Sequence, residues 1–270
     1  MKIGAMTVSF RKPFREALKA AAALGVQGVQ IWGTDLTYYH ADRPVGELDP
    51  ETMTDTGREE LMSTLQELGL EIAALCGDLG RGFTNPSHIE EDVGRTKRMM
   101  DLAKRLGVEV LTSHIGRIPD DPNDLGYRTA AAALEDIGAY GDRLGVCFAS
   151  ETGPESGAAL AAFLRGLKAK SIKVNYDPAN MVMNGFDPVQ GVRDLKEFIV
   201  HTHAKDGIGP GPKRGEVPLG EGEVPWPEYL RALREIGYEG YLTIEREVGD
   251  DPAADIVMAA RFLREQLAEL

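Results

Sequence analysis

Cysteine is scarce, basic residues are outnumbered, and no hydrophobic run is long. Each shortage removes a class of protein. The two cysteines, Cys76 and Cys147, stand far apart, each inside an apolar run. They form neither a disulfide framework nor a CxxC metal knuckle, so buried free thiols are the expected state. Lys and Arg number 30 against 43 Asp and Glu, a formal net charge of -13. Nucleic-acid backbones and anionic lipid surfaces reward clustered basic residues. No such cluster dominates, so neither nucleic acid nor membrane is expected as a partner, while a local basic pocket for one phosphate stays compatible. No stretch approaches the roughly 18 apolar residues of a membrane-spanning helix. The opening MKIGAMTVSF soon turns into RKPFREALK, without the continuous apolar core of a secretion signal. A cytoplasmic chain is the expectation. No GxGxxG follows the first apolar segment, which removes the dinucleotide fingerprint.

What is present is alternation: a short apolar segment, then an amphipathic helical one, repeated. The strand candidates are KIGAMTVS (2–9), VQGVQIWG (26–33), LEIAALCG (70–77), VEVLTSHI (108–115), VCFASE (146–151), IKVNYD (172–177), FIVHTHA (198–204) and YLTIER (241–246). Helical stretches lie between them at 13–24, 59–68, 88–106, 125–144, 157–169, 187–196, 226–236 and 251–270. Strict alternation argues for parallel strands joined by helical crossovers. Eight units in 270 residues match a (β/α)8 TIM barrel in number and size. A single α/β domain over 1–270 is expected, since no linker divides the chain; a doubly wound open sheet is the runner-up. Helices ending in Leu24-Gly25, Leu68-Gly69, Leu106-Gly107 and Leu144-Gly145 predict left-handed glycine caps. The Gly/Pro-rich piece 206–225 reads as a long loop after the seventh strand.

Active sites of such barrels lie at the C-terminal ends of the strands. The last four strand candidates end in Glu151 (FASETG), Asp177 (NYDPAN), His203 (HTHAKD) and Glu245 (LTIERE). Successive strand side chains point to opposite faces. Steps of two back from these residues pass through Ala149, Asn175, His201 and Thr243, while Phe148, Tyr176, Val200 and Ile244 occupy the other face. The bulkier apolar face suits the helix ring, which aims the four polar residues into the barrel mouth. Three carboxylates and an imidazole in a dry mouth repel strongly unless compensated. A divalent cation resolves this, and mixed oxygen and nitrogen ligation suits Mn²⁺, Mg²⁺, Co²⁺ or Zn²⁺. A cap or a salt bridge to Lys205 or Arg246 explains any one of the four, but not all four at corresponding positions. Within HTHAKD, His203 lies level with the carboxylates. His201 lies about 6–7 Å deeper at two residues' rise and reads as a buried support. Lys205 stands one step above, where a substrate would arrive.

At these residues the chain resembles the xylose isomerase-like superfamily of barrels, the sugar phosphate isomerase/epimerase group. The similarity spans essentially the whole chain and is most specific in SETG, YDPAN, HAKD (203–206), PLGEGEVPW and GYLTIERE. It implies one divalent metal ion, manganese foremost, held by Glu151, Asp177, His203 and Glu245. It further implies that Glu151 and Glu245 act as the acid/base pair of a carbohydrate isomerase or epimerase. The expected chemistry is α-proton abstraction from a hydroxy-ketone, with the enediolate stabilised by the metal. Return of a proton to the opposite face epimerises; return to the neighbouring carbon interconverts aldose and ketose. The partner is then a small sugar or sugar phosphate. Three positions depart from the family's ketose 3-epimerases, which carry His, Glu and Arg where this chain has Asn180, Gly157 and Gly209. The metal set is kept and the free-ketose substrate set is not. Endonuclease IV shares the barrel, but Asn180 stands where one of its extra histidines belongs, and KRGEVPLGEG does not match its Asp-Arg-His loop. Two other readings stay open. One is a metal-dependent lyase or dehydratase on a keto-sugar or keto-inositol, which starts from the same proton abstraction. The other is a sugar-binding barrel without turnover.

Around this set, His114, Lys205, Asn180 and Trp32 are the substrate-binding candidates. His114 ends the fourth strand, and a satisfied core histidine is its plainer reading. Lys205 has a salt bridge to Asp206 or Glu245 as its alternative, and Trp32 packing at the rim. Lys213 and Arg214, in the loop after the seventh strand, offer a phosphate contact against the stronger reading of a solvated loop. His40 and His88 are expected at the surface, and Glu155 and Asp78 are lesser candidates for substrate hydroxyls. The sequence leaves the oligomeric state open, a homo-oligomer included.

Overall fold

The structure, a computed structural model, describes residues 1–33 and 48–270; His40 lies outside them. Seven parallel strands come first: β1 (Lys2–Met6), β2 (Gly28–Trp32), β3 (Glu71–Cys76), β4 (Val110–Ser113), β5 (Cys147–Glu151), β6 (Ile172–Tyr176) and β7 (Ile199–Ala204). A small antiparallel hairpin follows, β8 (Asp206–Ile208) with β9 (Gly215–Val217), and β10 (Tyr241–Ile244) completes the set. Without the hairpin, the strands close into a barrel in the order β1-β10-β7-β6-β5-β4-β3-β2. The expected (β/α)8 barrel is therefore the fold.

The helices are α1 (Phe14–Ala23), α2 (Asp55–Leu68), α3 (Ile89–Arg105), α4 (Leu125–Leu144), α5 (Gly157–Arg165), α6 (Pro178–Met183), α7 (Pro188–Asp194), α8 (Trp226–Glu235) and α9 (Pro252–Ala268). No described helix is long and apolar enough to cross a membrane. The buried face of α4 shows the packing rule at work. Ala130, Ala133, Leu134, Ile137, Gly138 and Gly141 recur at helical spacing and lie against the sheet. Four of the helix ends close as the Leu-Gly pairs predict, with Gly25, Gly69, Gly107 and Gly145 at φ 68°, 67°, 71° and 75°. Glycine takes this left-handed backbone without the Cβ clash that penalises other residues.

Three local features differ from expectation, each for an identifiable reason. Helix α2 starts at Asp55 rather than at 59, because the Thr54 hydroxyl caps it by accepting from Gly57 N at 3.0 Å. A short extra helix, α6, follows β6, opened by Pro178 and capped by the Asp177 carboxylate. The 206–225 piece is an organised hairpin and turn. Buried Asp206 accepts from Gly207 N (2.9 Å), Gly220 N (2.9 Å), Val224 N (3.2 Å) and Trp226 Nε1 (2.9 Å). Arg246, just past β10, clamps the hairpin to α9 through Glu216 and Asp255, both at 2.7 Å.

The barrel interior is unusually polar. Gln30, Thr112, Asn175 and His201 are all at most 1% exposed. In register, Gln30 pairs with Ala74, and Thr112 with Ala149, so small residues sit beside the larger polar ones.

Close packing of α4 gives a direct test. A Cβ on Gly141 would lie 2.5 Å from the Val146 carbonyl oxygen and 2.6 Å from Ser171 Oγ. Gly141→Ala is expected to destabilise by about 1–3 kcal/mol despite its better helix propensity. Thermal melts would show this as a drop of about 2–4 °C per kcal/mol; an unchanged or higher Tm would refute the close approach.

Candidate metal centre

The four residues at the ends of β5, β6, β7 and β10 converge. One donor atom from each of Glu151, Asp177, His203 and Glu245 can be chosen so that all lie within 4.8 Å of one another. All four are buried, at 7%, 0%, 0% and 8% exposure. The imidazole is the hub: His203 Nδ1 lies 3.1 Å from Glu245 Oε2, 3.5 Å from Glu151 Oε1 and 3.7 Å from Asp177 Oδ2. The strands pair with a stagger, Glu151 beside Asn175 and Asn175 beside His201, and the strand tilt that closes the barrel brings the four donors together at its mouth.

The surrounding bonds divide each donor into a committed side and a free side. Asp177 spends Oδ1 on the Asn180 backbone N–H at 2.9 Å, as the cap of α6. Its Oδ2 is buried with no hydrogen-bond partner among the described residues, and neither has His203 Nδ1. Glu151 is held by Asn175 Nδ2 on Oε2 (3.2 Å) and by Asn180 Nδ2 on Oε1 (3.0 Å). Buried polar atoms without partners are costly, and two of them facing the same carboxylates mark a place for a cation. The donor set of three carboxylates and one imidazole nitrogen fits a small divalent ion. In chemistry and in the orphaned atoms, the residues present fit the group that the sequence implies.

The electrostatics say the same. Burial would push the Glu151 carboxyl up, but the imidazoles of His114 and His203 outweigh burial and hold it well below the usual carboxylate range. Burial opposes Glu245 likewise, and His203 with Lys205 brings it down to about 2. Burial disfavours charge on His203, yet Glu245 and Glu151 raise its pKa well above that of an ordinary imidazole. Without an ion, a proton on His203 and the Lys205 ammonium carry the positive charge that three buried carboxylates require. His201 behaves oppositely: burial first, then its neighbour His203, pushes it down to about 3. It is a neutral support beneath the site.

The substrate-binding candidates fall into distinct surroundings. His114 bridges Asp78 Oδ2 (2.8 Å, through Nδ1) and Glu151 Oε1 (3.5 Å, through Nε2). Glu151 is the main cause that raises its pKa well above the ordinary value. Asp78 is buried and supports His114 rather than lining an open surface. Lys205 is 3% exposed, with Nζ 3.0 Å from Glu245 Oε2 and 2.6 Å from Glu247 Oε2. Of its two expected salt-bridge partners Glu245 is present, whereas Asp206 is taken up by the loop backbone and Trp226. Asn180 turns its amide to Glu151 and to the Thr152 carbonyl. Trp32 ends β2, half-buried. Arg214 spends its guanidinium on Met183 O (2.7 Å) and Asn184 Oδ1 (3.2 Å), at the end of α6. His88 is exposed and N-caps α3 by position alone. Glu155 keeps one carboxylate oxygen buried without a partner among the described residues, and burial pushes its pKa up to about 7.

Sequence reasoning missed Gln30 and Glu247. Gln30 Oε1 lies 3.0 Å from His203 Nε2 and 2.9 Å from His201 Nε2. Its signal was a lone amide in the apolar GVQIW, in phase with inward Trp32. Glu247 sits two residues beyond Glu245, and its partner across the mouth is set by the fold.

Comparison with known proteins follows the same line. The family profile described as the xylose isomerase-like TIM barrel matches residues 18–266. An uncharacterised protein of Methanocaldococcus jannaschii is 27% identical over 68% of this chain, which spans 66% of that protein's length. Fructoselysine 3-epimerase of Escherichia coli O157:H7 is 25% identical, over 91% of this chain and 90% of that one. Among solved structures, a xylose isomerase domain protein from Planctomyces limnophilus superposes with a TM-score of 0.81. It is 24% identical, over 98% of this chain and 96% of that chain.

The raised imidazoles give a pH prediction for chelator-treated protein. In the unfolded chain His203 and His114 titrate as ordinary imidazoles, near 6.5. Folding raises both, so the stability they contribute is complete below that pH and drains as pH rises through the folded values. The metal-free Tm is expected to fall over the interval above about pH 6.5, and His203→Gln to shrink that fall. A melting temperature that is flat or rises over this interval would contradict the charge assignment.

Proposed function

We propose that this chain, which belongs to the xylose isomerase-like TIM barrel family, is a divalent-metal-dependent isomerase or epimerase of a small sugar or sugar phosphate. The observation that carries this reading is the buried donor set Glu151, Asp177, His203 and Glu245, with two of its atoms left unpartnered. Similarity along nine-tenths of the chain to a fructoselysine 3-epimerase supports the reaction class. Mn²⁺ is the first candidate ion, with Mg²⁺, Co²⁺ and Zn²⁺ compatible with the same ligands.

A divalent ion held there would acidify the proton α to a carbonyl and offset the negative charge left on its removal. The protein's own groups do the rest. Glu151 and Glu245 end β5 and β10, which flank β6 and β7 in the barrel order. Two carboxylates on either side of the site suit proton exchange at both faces of one carbon. Glu151 accepts the α-proton as the C–H electron pair moves into the forming double bond. A proton then returns from the Glu245 side, where Lys205 stands as a donor at 3.0 Å. Return on the opposite face inverts that carbon, and return to the neighbouring carbon interconverts aldose and ketose. His114, backed by Asp78, keeps a charged imidazole against Glu151, positioned to hydrogen-bond a substrate oxygen at the mouth. Carboxylates so close to positive charge are weak bases, and burial, which pushes both carboxyls up, offsets part of that effect.

Two measurements test this. Chelated protein reloaded with Mn²⁺ is expected to bind close to one equivalent and to gain about 2.7 kcal/mol of stability at 100 Kd; absence of binding would remove the metal. In D₂O, candidate ketoses are expected to take up deuterium at the α-carbon together with epimer or isomer formation. Glu151→Gln and Glu245→Gln should each slow that exchange about 10²–10⁴-fold. Full exchange in either variant takes that residue out of the acid/base role. Loss of water or another leaving group makes the protein a lyase. Ligand binding without deuterium uptake makes it a sugar-binding barrel.

A further inference from the structure

We infer that Gln30 and Thr112 form a polar relay inside the barrel that fixes which nitrogen of His203 faces the metal centre. The inference rests on the metal-centre reading above and adds positioning residues to it. The relay starts from an atom with no choice. The Leu75 backbone carbonyl can only accept, and Thr112 Oγ1 donates to it at 3.3 Å. With its hydrogen spent there, the hydroxyl offers a lone pair, and Gln30 Nε2 donates to it at 3.0 Å. That orients the Gln30 side chain: its amino group faces Thr112, and its carbonyl oxygen must face the other way. There Gln30 Oε1 meets His203 Nε2 at 3.0 Å and His201 Nε2 at 2.9 Å. An amide oxygen only accepts, so both imidazoles must present Nε2–H.

The consequence for His203 is directional. With hydrogen fixed on Nε2, the proton that leaves the ring when an ion binds comes from Nδ1, so the lone pair is left on the atom that faces Glu245, Glu151 and Asp177 and has no hydrogen-bond partner among the described residues. Asn175 Nδ2 also lies 3.2 Å from His203 Nε2. It donates to Glu151 Oε2, and accepting it at Nε2 instead would set a lone pair against Gln30 Oε1. The relay thus decides between a histidine that ligates and one that turns a hydrogen toward the ion. It runs through β2, β4 and β7 to a carbonyl of β3, all within the barrel wall. Gln30 and Thr112 are completely buried and touch neither substrate nor ion, so they are positioning residues. Partners that orient a ligating histidine in this way typically change metal affinity about 10–100-fold when lost.

Two near-isosteric variants of the full chain test the relay. Gln30→Met removes the acceptor, and Thr112→Val removes the hydroxyl that orients it. Each is expected to weaken Mn²⁺ binding about 10–100-fold by calorimetry, while Thr112→Ser restores wild-type affinity. Wild-type affinity in both Gln30→Met and Thr112→Val overturns the proposal, as does failure of Thr112→Ser to rescue. Ring nitrogen shifts in ¹⁵N-labelled protein give a readout that needs no metal. His201, outside the donor set, should carry its hydrogen on Nε2 in the wild type and lose that preference in Gln30→Met. A His201 hydrogen on Nδ1 in the wild type also overturns the relay. If wild-type protein binds no Mn²⁺, the metal-centre reading fails, and the His201 signature alone decides the relay.

Discussion

Three carboxylates driven into a dry barrel mouth are the constraint around which this protein is arranged. Glu151, Asp177 and Glu245 are all under a tenth exposed, and such charges cannot stay buried together without positive charge among them. His203 and Lys205 stand within reach of all three or most of them. Both have pKa values raised, against burial, chiefly by Glu245 and its neighbours. A divalent ion in place of the histidine proton would satisfy the same electrostatic demand and, in the proposed function, add a Lewis acid. In the proposed function, the charge that makes the site costly is the charge that would hold the ion.

The rest of the interior serves that mouth. A barrel core is ordinarily filled by branched apolar side chains, but here Gln30, Thr112, Asn175 and His201 take interior places. Each is hydrogen-bonded inside the barrel, and the chain of bonds ends at the His203 imidazole or at Glu151. A buried hydrogen-bonded network holds a single geometry more firmly than apolar packing, at a cost in stability. Stability is supplied by the outer layer, where the apolar faces of α1, α4 and α8 lie buried against the barrel. Loop elements brace the same end. Asp206 gathers the backbone of the turn after β8, and Arg246 pins the hairpin to α9.

The departures from the ketose 3-epimerase pattern gain physical content from the structure. Asn180 stands where those enzymes carry a substrate histidine, and its amide turns inward to Glu151 and Thr152. Gly157 opens α5 where they carry a glutamate. A Cβ there would meet the Gly191 backbone at 2.8 Å, so a larger residue would force α7 away. At these two positions the chain is built differently from that pattern, around the same set of buried donors.

Local signals made the architecture legible. Period-two and helical apolar patterns set the alternation, and Leu-Gly pairs marked helix ends that close through left-handed glycines. Strand-end position alone brought Glu151, Asp177, His203 and Glu245 to notice, because a parallel barrel places every strand end on one rim. Cap chemistry shifted element edges, as at Thr54 and Asp177, where a side chain competes for the first free N–H groups. Partner choice was not legible. That Lys205 pairs with Glu247, that His114 joins Asp78 to Glu151, and that Gln30 reaches His203 across 173 residues depends on barrel closure. A sequence fixes which side chains a strand turns inward, since alternation is local. Which of them meet, and so which nitrogen of a histidine faces the carboxylates, is decided only when the closed barrel brings opposite walls within hydrogen-bond distance.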